Sequence, residues 1–162
     1  MKKRIALLLS VICMACSINA ISISAKAADT SKEIIIETLD NGYYYETIIE
    51  DVDTPETTNA RAVTQYVTKK KTTNMKNSAG DVLWSVSITA TFSYDGTTSK
   101  CTSQVPSATA YASSWSIKSV TSSRSGNTAT ATAVATYTGT SGNSTDITKS
   151  VTIRCSATGV VS

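Results

Sequence analysis

An antiparallel β-sandwich is the fold class that this 162-residue sequence predicts. Three observations carry it. Residues 82–94, VLWSVSITATFSY, alternate almost without error, with Val82, Trp84, Val86, Ile88, Ala90, Phe92 and Tyr94 on one side and Leu83 with Ser and Thr on the other. A period of two with one polar face describes an antiparallel strand packed on one side. Further runs of the same period follow, separated by turn signals, and no helical period occurs beyond the first apolar segment.

The N-terminal segment 1–27 reads as a secretory signal peptide. Lys2, Lys3 and Arg4 form its positive start, 5–16 its apolar run, and Ala25-Lys26-Ala27 a small-residue cleavage site, leaving Ala28 as the mature N-terminus. Ser10, Ser17 and Asn19 interrupt the apolar run, and no other stretch nears the roughly 20 apolar residues of a membrane span. The expectation is therefore an exported chain, extracellular or attached to the cell wall, with no membrane span after cleavage.

Segment 28–60 is an acidic arm and linker, and a candidate prosegment. It holds nine acids and one base, Lys32, whereas the body, 61–162, holds ten bases and three acids. The net +3 of the whole chain conceals an arm of −8 and a body of +7. Within the arm, isoleucine-rich runs flank Asn41-Gly42, the strongest short hairpin signal. A two-residue loop there sets Leu39 opposite Tyr44, Ile35 opposite Ile48 and Glu37 opposite Glu46. Facing like charges make such a hairpin marginal alone. DVDTPETTNARA, 51–62, reads as a polar linker, with Arg61 as a candidate processing site beside Ala27.

The body opens with a strand over 63–70. After 82–94, Asp95-Gly96 predicts a two-residue turn that sets Ala90 opposite Cys101. Trp115 and Ile117 begin another strand, Arg124-Ser125-Gly126-Asn127 turns the chain, and 128–138 returns with Ala129, Ala131, Ala133, Ala135 and Tyr137 on one side. Ile147, Val151, Ile153 and Cys155 share one parity on the last strand. Parity thus faces both Cys101 and Cys155 inward; Cys13 and Cys16 of the four cysteines leave with the signal peptide, and an exported chain with the remaining two most simply bridges them. Closing that loop of about 55 residues would stabilise by roughly 4 kcal/mol in the chain-entropy model.

The spacing of Cys101, Trp115 and Cys155 resembles the Cys…Trp…Cys of immunoglobulin domains, although Ile153 stands where that family's corner tyrosine would be. The resemblance implies the sandwich architecture only. Over most of the mature chain, LDNGYYYETIIED at 39–51, NARA at 59–62, NSAGDVLWSVSITATFSYDG at 77–96 and the terminal TIRCSATGVVS resemble a group of small, uncharacterised proteins secreted by Gram-positive bacteria. That resemblance implies secretion and no particular activity.

The chemistry is narrow. There is no histidine, so histidine-based nucleophile systems and histidine metal sites are excluded, and two cysteines cannot complete a zinc site. Asp81, Asp95 and Asp146 are the acids of the body, with Asp95 assigned to a turn and no pairing suited to catalysis. No phosphate loop or nucleotide motif occurs. No enzyme, cofactor, metal or nucleic-acid partner is expected.

Lys69, Lys70, Lys71 and Lys76 form the densest basic run, a candidate grip for anionic cell-wall polymer or glycan, against the plainer reading of gatekeeping lysines on a sheet edge. Thr128, Thr130, Thr132, Thr136 and Thr138 form a row, interrupted by Val134, with no matching array expected on neighbouring strands. Tyr43, Tyr44 and Tyr45 alternate faces and cannot build one platform. The function expected is a secreted, non-enzymatic binding or surface-interaction module whose acidic arm masks a basic edge. The alternative is a secreted toxin or bacteriocin-like effector released by cleavage near Arg61.

Overall fold

A computed structural model describes residues 33–39, 42–52 and 64–162. The leader, Ala27 and Arg61 lie outside the described residues. The chain is all β and antiparallel. β1 (Glu33–Thr38), β2 (Tyr44–Asp51), β3 (Gln65–Lys76), β4 (Val82–Tyr94) and β5 (Ser99–Ala110) form one sheet in that order. β6 (Trp115–Ser125), β7 (Thr128–Thr138) and β8 (Ser144–Arg154) form the second. The two sheets enclose one core, giving the predicted sandwich.

β4 is the central strand, and its parity is as the alternation predicts. Trp84, Val86, Ile88, Ala90 and Phe92 are all buried. Facing them are Ala129, Ala131, Ala133 and Ala135 of β7 and Val151 and Ile153 of β8. The small alanines leave room for the aromatic rings. Trp84 stacks on Trp115 at 6.1 Å, Tyr45 meets Trp84 edge-on at 6.4 Å, and Tyr137 tilts over Trp115 at 5.4 Å. The Trp84 indole N–H donates to Met75 Sδ at 3.0 Å, so this buried donor is not left unpaired.

Several expectations require correction. Both sheets are plain meanders rather than Greek keys, so the immunoglobulin likeness stops at the architecture. Trp115 packs at the end of the sandwich away from the cysteines, unlike the immunoglobulin tryptophan. β3 runs to Lys76, six residues past the expected end, because its lysines lie against an acidic strand instead of ending the sheet. The Asp95 loop has four residues, with Tyr94 opposite Ser99 and Asp95 N–H bonded to Thr98 O at 3.2 Å. This longer loop places Cys101 opposite Phe92, not Ala90, still facing the core, and the ladder then slips at a bulge between Thr91 and Phe92. Leu83 is the extra residue at the irregular start of β4 and packs on the core. Ser85 and Ser87 point outward but are buried, flanked by Asn74 and Thr72 of β3 and Thr109 and Ser107 of β5.

The β1–β2 loop also differs. Leu39 N–H donates to Tyr43 O at 2.8 Å, with Gly42 at φ 79°, so Leu39 is set against Tyr43 rather than Tyr44. Glu37 then faces Tyr45 and Ile35 faces Thr47. One residue of slip moves each strand residue to a new partner, and the Glu37–Glu46 opposition disappears.

Cys101 and Cys155 are both buried as parity predicts, but the structure holds them as free thiols. Cys101 N–H donates to Gly126 O at 2.8 Å and Cys155 N–H to Asn127 O at 3.0 Å. One β-turn thus anchors a cysteine from each side of the sandwich. The thiols donate instead to the Ser103 and Ser156 carbonyls, each at 3.3 Å.

Candidate functional site

The lysine run lies on β3, beside β2. Strand geometry sends successive side chains to opposite faces, so Lys69 and Lys71 share the core-side face with Ala90 and Ile88, and Lys70 lies on the other. The run is therefore not one patch. Every lysine of it also has a β2 residue across the ladder: Asp51 opposite Lys69, Glu50 opposite Lys70, Ile49 opposite Lys71 and Tyr44 opposite Lys76. Lys69 forms an ion pair with Asp51, and Lys76 Nζ lies 2.8 Å from Glu46 Oε2. Both members of the Lys76–Glu46 pair are largely shielded, so salt screens it less than an open surface pair.

A cation that parity arguments passed over completes the arrangement. Lys149 of β8 follows the inward parity of Ile147 and Val151, yet its position at the sheet edge lets it emerge beside the arm. Its Nζ reaches Glu37 of β1 and the Tyr45 ring of β2. Burial and the neighbouring Glu37 charge both raise the Tyr45 hydroxyl above its ordinary value of 10.0. The inward, charged residue on an otherwise apolar strand face was the available signal.

The body's three acids are each engaged. Asp95 accepts from the N–H groups of Thr97 at 2.8 Å and Thr98 at 2.7 Å, which holds its carboxyl below the usual range. Asp81 accepts from Asn77 Nδ2 at 3.0 Å. Asp146 accepts from Lys118 at 2.5 Å and from Thr136 at 2.7 Å, and these bonds hold its carboxyl low.

The threonine row of β7 does have partners, contrary to expectation. Thr130 bonds Thr152 at 2.9 Å and Thr132 bonds Ser150 at 2.7 Å, while Ser123 and Thr121 of β6 flank the same pairs. Pairing across three strands could not be read before the register was known. These hydroxyls largely satisfy each other.

No helix among the described residues is long and apolar enough to cross a membrane. Comparison with family models, with curated proteins and with solved structures finds no match.

Proposed function

We propose that this chain is an exported, non-enzymatic binding module of a Gram-positive bacterium, acting outside the cell or on its wall. Its ligand is an anionic wall polymer or glycan, and strand β3 is the binding edge. The β1–β2 hairpin masks that edge in the form described above. The observation that carries the reading is the pairing of acids on β2 with lysines on β3, above all Asp51 with Lys69 and Glu46 with Lys76. A hairpin that merely completed the sheet would not need Glu50 and Asp51 opposite Lys70 and Lys69, or Glu46 within reach of Lys76. In the oxidising compartment Cys101 and Cys155 are proposed to bridge, closing the end of the sandwich opposite Trp115.

The test uses the chain from Ala28 with Glu46→Gln, Glu50→Gln and Asp51→Asn together. Retention on teichoic-acid-bearing cell wall at low salt should rise at least about tenfold, and should fall away near 0.5 M salt, where the screening length is about 4 Å. Unchanged retention removes the masking idea. The effector alternative predicts instead that the same variant inhibits growth of neighbouring cells without wall retention.

A further inference from the structure

The β1–β2, β3–β4, β5–β6 and β7–β8 turns all lie at one end of the sandwich, on the side of Trp84 and Trp115. Three tyrosines open there to solvent: Tyr43 at 39%, Tyr111 at 62% and Tyr137 at 40% exposure. We propose that this end binds an uncharged glycan strand, with Tyr43, Tyr111 and Tyr137 as the rings on which sugar units stack.

Each ring is presented by a held backbone. Tyr43 O accepts from Leu39 N–H at 2.8 Å, and Tyr111 N–H donates to Leu83 O at 2.9 Å. Tyr137 lies in the β7 ladder opposite Trp115, and its ring rests on that indole, which is in turn stacked on Trp84. The Tyr137 ring is held by Trp115 and the other two are placed by fixed backbone, so little backbone freedom is lost on binding, and tyrosine supplies contact area at low entropic cost.

The surroundings select the ligand's chemistry. Asp81 is the one charged side chain among the described residues of these turns (39, 42–43, 77–81, 111–114 and 139–143), and it is already bonded to Asn77. The rest are Tyr, Ser, Gly, Asn, Ala, Thr and Leu, close to the mixture found in binding loops that combine rigid rings with adaptable hydrogen bonding. Pyranose rings offer C–H faces to aromatic rings and hydroxyl or acetamido groups to Ser113 and Asn143, while the Asn77 amide is held within its own turn by Ala79 and Asp81. Among the described residues of these turns there is no cation, and Lys76, which flanks the β3–β4 turn, is already paired with Glu46.

Spacing points to a strand of sugars rather than to one ring. At 4.7–4.9 Å between neighbouring strands, Tyr43 at the start of β2 and Tyr111 beyond β5 are three strand spacings, about 14 Å, apart. The gap between rings is occupied by the polar β3–β4 turn. Lys76, whose pair with Glu46 belongs to the masked edge, adjoins the β3–β4 turn, but none of the three rings takes part in that pair, and salt dependence separates the two proposals: charge-driven binding is lost near 0.5 M salt and ring stacking is not.

The test measures binding of the chain from Ala28 to the β-1,4-linked tetramer of N-acetylglucosamine and to peptidoglycan stripped of anionic polymer. Binding should persist near 0.5 M salt, where exposed charges are screened within about 4 Å. Tyr43→Ala and Tyr111→Ala should each weaken it about five- to tenfold, as loss of an aromatic anchor does. Both positions are open to solvent, so melting curves should stay unchanged, and Tyr111→Phe should retain binding. Absence of binding, binding indifferent to both alanine substitutions, or binding abolished by salt overturns the proposal. So does preferential retention on phosphatidylglycerol vesicles through the same tyrosines, which would replace a glycan by a lipid surface.

Discussion

Lys149 Nζ lies 2.6 Å from Glu37 Oε2 and 3.9 Å from the centroid of the Tyr45 ring. The contact joins the second sheet to both strands of the N-terminal hairpin, which otherwise attach through the β3 ladder and through Tyr45 packed on Trp84. Side-chain exposure is 20% for Lys149 but 60% for Glu37. The ion pair is therefore well solvated on one side and contributes below about 1 kcal/mol, with a similar amount from the cation over the ring. Lys149→Met should lower stability by about 1 kcal/mol. It should also speed amide exchange in β1 and β2 more than in β4. Uniform acceleration across the chain would show that the hairpin does not open separately from the core.

The Gly159 backbone sits at φ +85°, and a Cβ added there would run into the Tyr94 ring. Two effects then add: the left-handed conformation disfavours any L side chain, and the ring leaves no room. Gly159→Ala should cost roughly 2–4 kcal/mol. It should also loosen the C-terminal turn, whose Ala157 O accepts from Gly96 N–H at 2.9 Å. A calorimetric or denaturant measurement showing less than about 0.5 kcal/mol would mean that Tyr94 swings aside freely.

The cysteines carry a pH signature that separates the thiol form from the bridged form. Burial pushes both thiols above their ordinary value of 9.0. A raised folded value favours the folded state below the unfolded value, and that contribution is lost as pH rises through the folded value. The reduced protein should therefore lose stability as pH climbs past 9. The bridged protein should not until the Tyr45 hydroxyl, itself raised, begins to matter above 10.0. Intact mass of protein from culture supernatant should be lower by about 2 Da than after reduction, as one disulfide requires. Alkylation of both thiols in the native, unreduced protein would show instead that the pair stays reduced.

Burial was legible wherever one residue's neighbours along the strand decided it. Trp84, Val86, Ile88, Ala90 and Phe92, and the four alanines of β7, follow from parity alone, as do the inward positions of Cys101 and Cys155. The Gly126-Asn127 turn and the exact extent of β7 were equally plain. Partners were less so. The Glu37–Glu46 and Ala90–Cys101 oppositions failed because loop length moves the ladder by one or more residues and leaves no mark on the side-chain alternation of the flanking strands.

The candidate sites divide along the same line. The opposite charges of arm and body, and the lysines of β3, belong to composition and were readable directly. That the lysines alternate between faces, meet the acids of β2 and leave Lys149 to reach Glu37 depends on which strand lies beside which. The aromatic end depends on it too, since Tyr43, Tyr111 and Tyr137 are far apart in the chain and share one end of the sandwich only because four turns close on that side. Local alternation determines which way a side chain points, because each residue's direction is set by the pleat of its own strand. What that side chain touches is decided by register and sheet order, which are properties of pairs of strands.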